Sequence, residues 1–177
     1  MNTIPNMTLV LGGARSGKTA FAEKLVKASG PERTYLATAQ AMDDEMAMRI
    51  AIHRQERGEG WHTIEEPLDL QGALKGLDHV VLIDCLTLWL SNLMHKDLSV
   101  DEATRGLLRT LEERARDTIL VSNEVGMGLV PDTALGRQFR DAQGRLNQMV
   151  AARASRVIFV AAGLPLALKG AIPEGLE

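Results

Sequence analysis

The sequence predicts an α/β fold in which helices flank a mostly parallel central sheet of about five or six strands. Apolar runs of strand length alternate with longer segments of helical period along the chain. The runs lack polar alternation, which is typical of strands covered by helices on both faces. The 177 residues favour one domain over 1–177, with a tail at 171–177 that is a candidate for disorder.

The first strand is predicted at 7–11, where the sequence reads Met-Thr-Leu-Val-Leu. A helix follows over 17–29 because Phe21, Leu25 and Ala28 recur at core spacing, and Gly30 ends it. The later apolar runs predict four more strands, at 34–37, 80–83, 118–121 and 157–162. Helical patterns predict further helices from Asp43 or Asp44 to about 57, from near Leu86, from a capping box at Ser99 to about 116, and over 135–153.

The turn between the first strand and the first helix fits the P-loop pattern G-x-x-x-x-G-K-[ST]. Its glycines let successive backbone N–H groups turn inward onto phosphate oxygens, and the helix adds its positive N-terminal dipole. The Lys side chain can reach a phosphoryl oxygen, and the Thr hydroxyl can bind Mg²⁺. A chance glycine-rich turn is the alternative. We interpret the segment as a nucleoside triphosphate site formed by Gly12, Gly13, Ala14, Arg15, Ser16, Gly17, Lys18 and Thr19.

Asp84 directly follows the apolar run at 80–83. A carboxylate at the end of a strand beside the P-loop strand can hold the water shell of Mg²⁺, so the candidate metal residues are Thr19 and Asp84. A cap on the next helix is the alternative role of Asp84, and the two roles are compatible.

For two other features, the sequence allows two roles each. His53 could be a nucleophile toward phosphorus, but its helical spacing from Met46 and Ile50 equally fits a structural histidine. The segment 123–128, Asn-Glu-Val-Gly-Met-Gly, follows a predicted strand where doubly wound sheets place ligand loops. It could also be a plain solvent-exposed turn.

Composition restricts the partners and the location. Aromatic residues make up 3% of the chain and its net charge is −3, so nothing favours a nucleic acid or an anionic membrane as partner. One cysteine, no signal-like N-terminus and no apolar run of membrane-spanning length predict a cytoplasmic protein. The functions that remain open are a small-molecule kinase and, against the charge and the scarce aromatics, a RecA-like motor.

Several blocks together resemble the bifunctional adenosylcobinamide kinase/adenosylcobinamide-phosphate guanylyltransferase family of cobalamin biosynthesis. The resemblance spans Met7 to about Gly170 and implies a fold of the RecA-like branch of P-loop NTPases. Its most specific block is Asn-Glu-Val-Gly-Met-Gly. The matching segments are 12–19, 37–40, 43–46, 49–50 with His53, 121–131, 139–141 and 144–148.

The resemblance implies two reactions. A nucleoside triphosphate, ATP or GTP, phosphorylates adenosylcobinamide, and GMP from GTP is then joined to that phosphate through a GMP-histidine intermediate, with release of pyrophosphate. The nucleophile matches His53, although Ile52 stands where many members carry an adjacent histidine. Mg²⁺, a corrinoid substrate and a homo-oligomer, with a trimer suggested, are also implied. Besides Lys18 and the rest of the P-loop, the implied nucleotide contacts are Ala37, Thr38, Ala39, Arg54, Gln55, Glu56, Arg57, Glu65 (with Glu66 beside it) and Asp84.

Overall fold

The computed structural model describes residues 3–40, 48 and 58–176. The strands are β1 (Ile4–Gly12), β2 (Arg33–Ala37), β3 (Trp61–Glu65), β4 (Val80–Asp84), β5 (Thr118–Asn123), β6 (Ala154–Ala161) and β7 (Leu164–Lys169). The helices are α1 (Lys18–Ser29), α2 (Leu70–Leu74), α3 (Leu86–His95), α4 (Val100–Glu112) and α5 (Ala134–Arg153). The helix expected from 43 or 44 to 57 lies outside the described residues.

These strands form one sheet in the order β3-β2-β4-β5-β1-β6-β7. Every neighbouring pair is parallel except β6 and β7, which are joined by a tight turn and run antiparallel. The mostly parallel sheet flanked by helices confirms the predicted fold class. The described part contains seven strands, so the expectation of five or six is too low.

The two strands that the sequence did not reveal are the two edges of the sheet. β3 consists of half-buried and exposed residues without a fully buried one, and it lacks an apolar run. β7 contains Pro165, which cannot donate a backbone hydrogen bond and is tolerated in strands mainly at sheet edges. β3 is held in place by pairing with β2, and β7 by pairing with β6, and these pairings exist only in the folded chain.

The order of the central strands corrects one expectation. β4, which ends at Asp84, pairs with β2 and β5, and β5 lies between β4 and β1. Asp84 is therefore not on the strand beside the P-loop strand. At the usual spacing of parallel strands, two steps of the sheet separate the ends of β1 and β4 by about 10 Å. Crossover connections decide this order, and no local pattern in the sequence encodes it.

Helices cover both faces of the sheet. On one face of the sheet, α1 packs against side chains of the central strands. We call this cluster the α1-side core; it comprises Val10, Phe21, Ala22, Leu25, Val26, Tyr35, Val80, Leu82, Cys85, Ile119, Val121, Ile158 and Val160. The opposite face packs against α2, α3, α4 and α5 through a larger leucine-rich cluster that includes Trp89.

The residues after β7 return to the sheet. Ile172 and Leu176 pack against the α1-side core, and the backbone N–H of Leu176 donates to the carbonyl of Pro173 at 3.1 Å. Within the described ranges, none of the helices has the length and apolar character needed to cross a membrane.

Candidate nucleotide site

The P-loop segment lies at the carboxyl edge of the sheet, between the end of β1 and the start of α1. Gly12 is the last residue of β1, and Lys18 and Thr19 open α1. The backbone turns through left-handed conformations at Arg15 (φ 56°) and Gly17 (φ 92°), and Gly17 is the N-cap of α1. The sequence therefore forms the strand–loop–helix unit that the motif requires.

Close backbone contacts make glycine necessary at Gly12. A Cβ atom there would lie 2.5 Å from the carbonyl oxygen of Val160 on β6 and 2.4 Å from Oγ of Ser16. The turn between β6 and β7 also supports the loop, because the Gly163 N–H donates to the Ser16 carbonyl at 2.8 Å. The loop is thus held against β6 by backbone atoms, which cannot move aside as a flexible side chain can.

The N-terminus of α1 is open to an anion. No side chain caps it and no acidic residue occupies its first turn, so its N–H groups keep their partial positive charge. The Lys18 ammonium lies over the loop and donates to the Gly13 carbonyl at 3.1 Å. Oγ of Ser16 is buried and has no hydrogen-bond partner among the described residues. This arrangement offers donors to a phosphate group.

Asp84 is held at the same edge. Its carboxylate accepts a hydrogen bond from the Tyr35 hydroxyl at 2.7 Å. The N-cap of α3 is Cys85, without a side-chain cap hydrogen bond, so the described geometry gives Asp84 no capping role. Burial first, and then the neighbouring Asp84 carboxylate, raise the pKa of the Cys85 thiol to about 12, while the Lys18 ammonium opposes them. The charges of Lys18 and Asp84 thus both influence the pKa of Cys85, and the thiol stays protonated at neutral pH.

The end of β2 joins this edge through Thr38. Ala37 pairs with Asp84 on β4 and with Glu65 on β3. Thr38 is fully buried, and its hydroxyl both donates to the Cys85 carbonyl at 2.8 Å and accepts from the Cys85 N–H at 2.9 Å. Because that hydroxyl already donates and accepts, Thr38 fixes the residue after Asp84. Ala39, half-buried, is the next residue along the edge.

The neighbouring carboxylates Glu65 and Glu66 have different surroundings. Glu66 is engaged in the turn before α2, where its carboxylate accepts from the N–H groups of Leu68 and Asp69 at 2.9 and 2.8 Å. Glu65 is exposed at the end of β3. β3 lies four strand steps from β1, so about 19 Å separates the ends of the two strands.

The structure brings the P-loop, Asp84 and the 37–39 segment to one edge of the sheet. It places Glu65 at the same edge but at its far end. His53, Arg54, Gln55, Glu56 and Arg57 lie outside the described residues.

Several residues at this edge were not predicted as part of the site. Tyr35 bonds Asp84, and the Asn92 amide donates to the Thr38 carbonyl at 2.8 Å. The N–H of Glu124 donates to the Gly12 carbonyl at 3.1 Å, which joins the segment after β5 to the P-loop. Tyr35 and Asn92 carry no local signal in the sequence. The segment after β5 did carry one, because two glycines follow a strand there.

The chain is similar to known proteins over most of its length. Residues 8–168 match the family model described as cobinamide kinase / cobinamide phosphate guanyltransferase. A bifunctional adenosylcobalamin biosynthesis protein of Pseudomonas aeruginosa is 48% identical over 167 residues, which cover 92% of this chain and 96% of that protein. Its counterpart in Escherichia coli is 38% identical over 181 residues, covering 92% of this chain and 99% of that protein.

Solved structures show the same fold at low sequence identity. The flagellar accessory protein FlaH from Methanocaldococcus jannaschii superposes with a TM-score of 0.53 at 13% identity, covering 93% of this chain and 78% of that one. A second solved structure, an isolated ATPase domain, gives a TM-score of 0.50 at 16% identity, with coverages of 89% and 69%. The predicted fold, a RecA-like P-loop NTPase, is confirmed.

The close approach at Gly12 gives the first prediction. Gly12→Ala should destabilise the protein by about 1–3 kcal/mol, because the new methyl group overlaps the Val160 carbonyl, and it should weaken nucleotide binding by displacing the loop. Thermal melting and a nucleotide titration measure the two effects. Gly30→Ala is the matched control, since Gly30 follows α1 in extended backbone (φ 163°) and a Cβ there meets nothing within 4 Å. Equal stability and affinity of the two variants would contradict the prediction.

Proposed function

Because the chain belongs to the cobinamide kinase / cobinamide phosphate guanyltransferase family, we propose that it phosphorylates adenosylcobinamide with ATP or GTP and then transfers GMP from GTP to that phosphate. The members of this family are bifunctional enzymes of adenosylcobalamin biosynthesis. One structural observation supports the proposal most directly. A P-loop with an uncapped helix N-terminus and Lys18 shares its edge of the sheet with Asp84.

In the kinase step, the hydroxyl oxygen of the aminopropanol arm bonds to the γ-phosphorus. The bond from that phosphorus to the bridging oxygen breaks, and the nucleoside diphosphate leaves while the hydroxyl proton passes to solvent or a base. Negative charge grows on the bridging oxygen in this step. The Lys18 ammonium and the N–H groups of the P-loop stabilise that charge.

In the guanylyl step, we propose that an imidazole nitrogen of His53 bonds to the α-phosphorus of GTP and that pyrophosphate leaves. The phosphate oxygen of the corrinoid then bonds to the same phosphorus, and the P–N bond to His53 breaks. Each half-reaction has imidazole as the entering or leaving group, which avoids direct attack of one phosphate anion on another. The P-loop here stabilises the charge of the departing pyrophosphate.

The donor set at the site suits Mg²⁺. The Thr19 hydroxyl and the Asp84 carboxylate are hard oxygen ligands, and Mg²⁺ usually takes one or two protein oxygens together with waters and substrate phosphates. No group of three or more His, Cys, Asp or Glu side chains converges on one point in the described part of the chain. When bound, Mg²⁺ would neutralise phosphate charge.

The partners proposed are a corrinoid substrate and further copies of this chain, in a cytoplasmic protein without a nucleic acid or membrane partner. β7 presents three leucines along one face of an edge strand, Leu164, Leu166 and Leu168, which are 72%, 60% and 58% exposed. An apolar stripe of this kind is typical of an interaction surface. We expect light scattering to give a multiple of the 19.3 kDa chain mass, with three as the proposed number; a monomer mass would contradict this.

The covalent intermediate is tested with GTP labelled at the α-phosphorus. The wild-type protein should retain label after denaturation, and that label should be labile to acid and stable to base, as expected of a P–N bond. His53→Ala should retain none. Absence of label on the wild type, or undiminished label on His53→Ala, would leave a plain small-molecule kinase with a structural histidine.

A single nucleotide site for both steps is tested with Lys18→Ala. Loss of one charge-assisted contact to the leaving phosphates should lower both activities about 10–100-fold. Lys24→Ala is the matched control, because Lys24 lies on the same helix but is exposed and away from the loop. If only one activity fell, two separate nucleotide sites would replace the single site.

A further inference from the structure

The segment 35–38 holds the end of β4 at two points. The Tyr35 hydroxyl donates to Oδ2 of Asp84 at 2.7 Å. Just after β2, the fully buried Thr38 hydroxyl donates to the Cys85 carbonyl at 2.8 Å and accepts from the Cys85 N–H at 2.9 Å. Thr38 therefore fixes the main chain that follows Asp84, and Tyr35 fixes the Asp84 side chain.

The pairing of β2 with β4 explains why a tyrosine reaches this carboxylate. Tyr35 pairs with Leu82, and both side chains belong to the α1-side core. Asp84 lies two residues beyond Leu82 on the same strand, so its side chain points to the same face of the sheet. The long Tyr35 side chain spans this diagonal, and its hydroxyl meets the carboxylate at the carboxyl edge.

The ring of Tyr35 is held by packing as well as by its hydroxyl. The side chain is 7% exposed and meets Trp61 of β3 edge to face, with ring centroids 6.0 Å apart and planes at 80°. The Trp61 ring in turn lies 5.5 Å from the Arg33 guanidinium carbon. Aromatic pairs favour this edge-to-face arrangement. The position of the hydroxyl is thus fixed by the ring's surroundings and does not depend on Asp84 alone.

The Asp84 carboxylate keeps room for a ligand. An ionised carboxylate has about four acceptor sites, so one hydrogen bond from Tyr35 leaves others available. The carboxylate is half-buried at the edge that carries the P-loop, with β5 between the two strands. Because an aspartate side chain rotates about two torsion angles, the direction in which its oxygens point depends on what holds them.

We propose that Tyr35 is a positioning residue that orients the Asp84 carboxylate toward the Mg²⁺ of the bound nucleotide. Its hydroxyl donates one hydrogen bond to the carboxylate and leaves the remaining acceptor sites to the water shell of the metal. The inference rests on the metal role of Asp84 given under Proposed function. Groups that stand behind a metal-binding side chain in this way commonly contribute about 10–100-fold to metal affinity.

A purely structural hydrogen bond is the alternative, since a buried tyrosine hydroxyl usually has a partner. The two roles differ in what they change. A structural bond stabilises the fold, and its loss affects nucleotide binding equally with and without metal. A positioning bond affects only the part of the affinity that the metal provides. Without metal, the negative carboxylate has no attraction for the negative phosphates.

The experiment measures nucleotide affinity by titration calorimetry, without corrinoid, once in excess Mg²⁺ and once in EDTA. The ligand is α,β-methylene GTP, whose α-phosphorus cannot be transferred to a histidine with loss of pyrophosphate. The ratio of the two affinities is the metal-dependent gain. Tyr35→Phe keeps the ring and its packing on Trp61. It should lower the gain about 10-fold and change the affinity in EDTA less than about 2-fold.

Thr34→Val is the matched control on the same strand. Thr34 is fully buried, precedes Tyr35 and points to the opposite face, where its hydroxyl is hydrogen-bonded to Nε2 of His79 at 2.6 Å. The substitution removes a buried hydroxyl at nearly constant volume, as Tyr35→Phe does. Both variants should melt at lower temperature than the wild type, but Thr34→Val should leave the metal-dependent gain unchanged.

A double-variant comparison tests whether Tyr35 acts through Asp84. Asp84→Asn should lower the gain at least as much as Tyr35→Phe, and adding Tyr35→Phe to it should change the gain less than about 2-fold. A further full loss in the double variant would overturn the proposal. So would a Tyr35→Phe protein with an unchanged gain, or one with equal losses in Mg²⁺ and in EDTA.

Failure of the proposed function gives a different result. If the wild type binds the analogue no better in Mg²⁺ than in EDTA, or if Asp84→Asn keeps the full gain, the proposed metal role of Asp84 fails and the inference about Tyr35 falls with it. A normal wild-type gain that Asp84→Asn lowers and Tyr35→Phe leaves intact overturns the positioning role alone.

Discussion

The close approach of backbone to backbone at Gly12 is the constraint on which the site depends. The end of β1 lies so near the Val160 carbonyl that no side chain fits, and the Ser16 carbonyl accepts a hydrogen bond from the N–H of Gly163 in the turn after β6. These contacts fix where α1 begins. They therefore fix the direction of its N–H groups and the position of Lys18 over the loop. The donors that this loop offers to a phosphate therefore come first from the backbone and second from the Lys18 side chain.

The remaining polar groups of the site are positioned by hydrogen bonds that join strand ends to one another and to helices. The Thr38 hydroxyl holds both backbone groups of Cys85, and the Tyr35 hydroxyl holds the Asp84 carboxylate. Thr87 and Asn147 hold the backbone of Asn123 in the same way. Each contact joins residues far apart in the chain, so the edge of the sheet is ordered only when the sheet and its helices are complete. Such an edge presents preorganised groups to a ligand.

Much of the fold followed from the sequence because it depends on local patterns. Five apolar runs predicted the five inner strands, and the strand bounds differ by only a few residues. The edge strands β3 and β7 were missed because an edge strand needs apolar residues on one face at most, and because β7 contains Pro165, a residue that disfavours strands. The site was predicted as a set of residues, but its geometry was not. Asp84 was expected next to the P-loop strand, and β5 lies between them.

The sequence by itself determined the P-loop, the Asp at the end of an apolar strand and the family resemblance, because each is a short pattern whose chemistry demands those residue types. The tertiary structure alone decided which strand lies between Gly12 and Asp84, and so which side chain stands between them. Crossover connections set that order, and they depend on how helices pack on the finished sheet. The hydrogen bond that joins Tyr35 to Asp84 is visible only there, since contacts between strands belong to the folded chain.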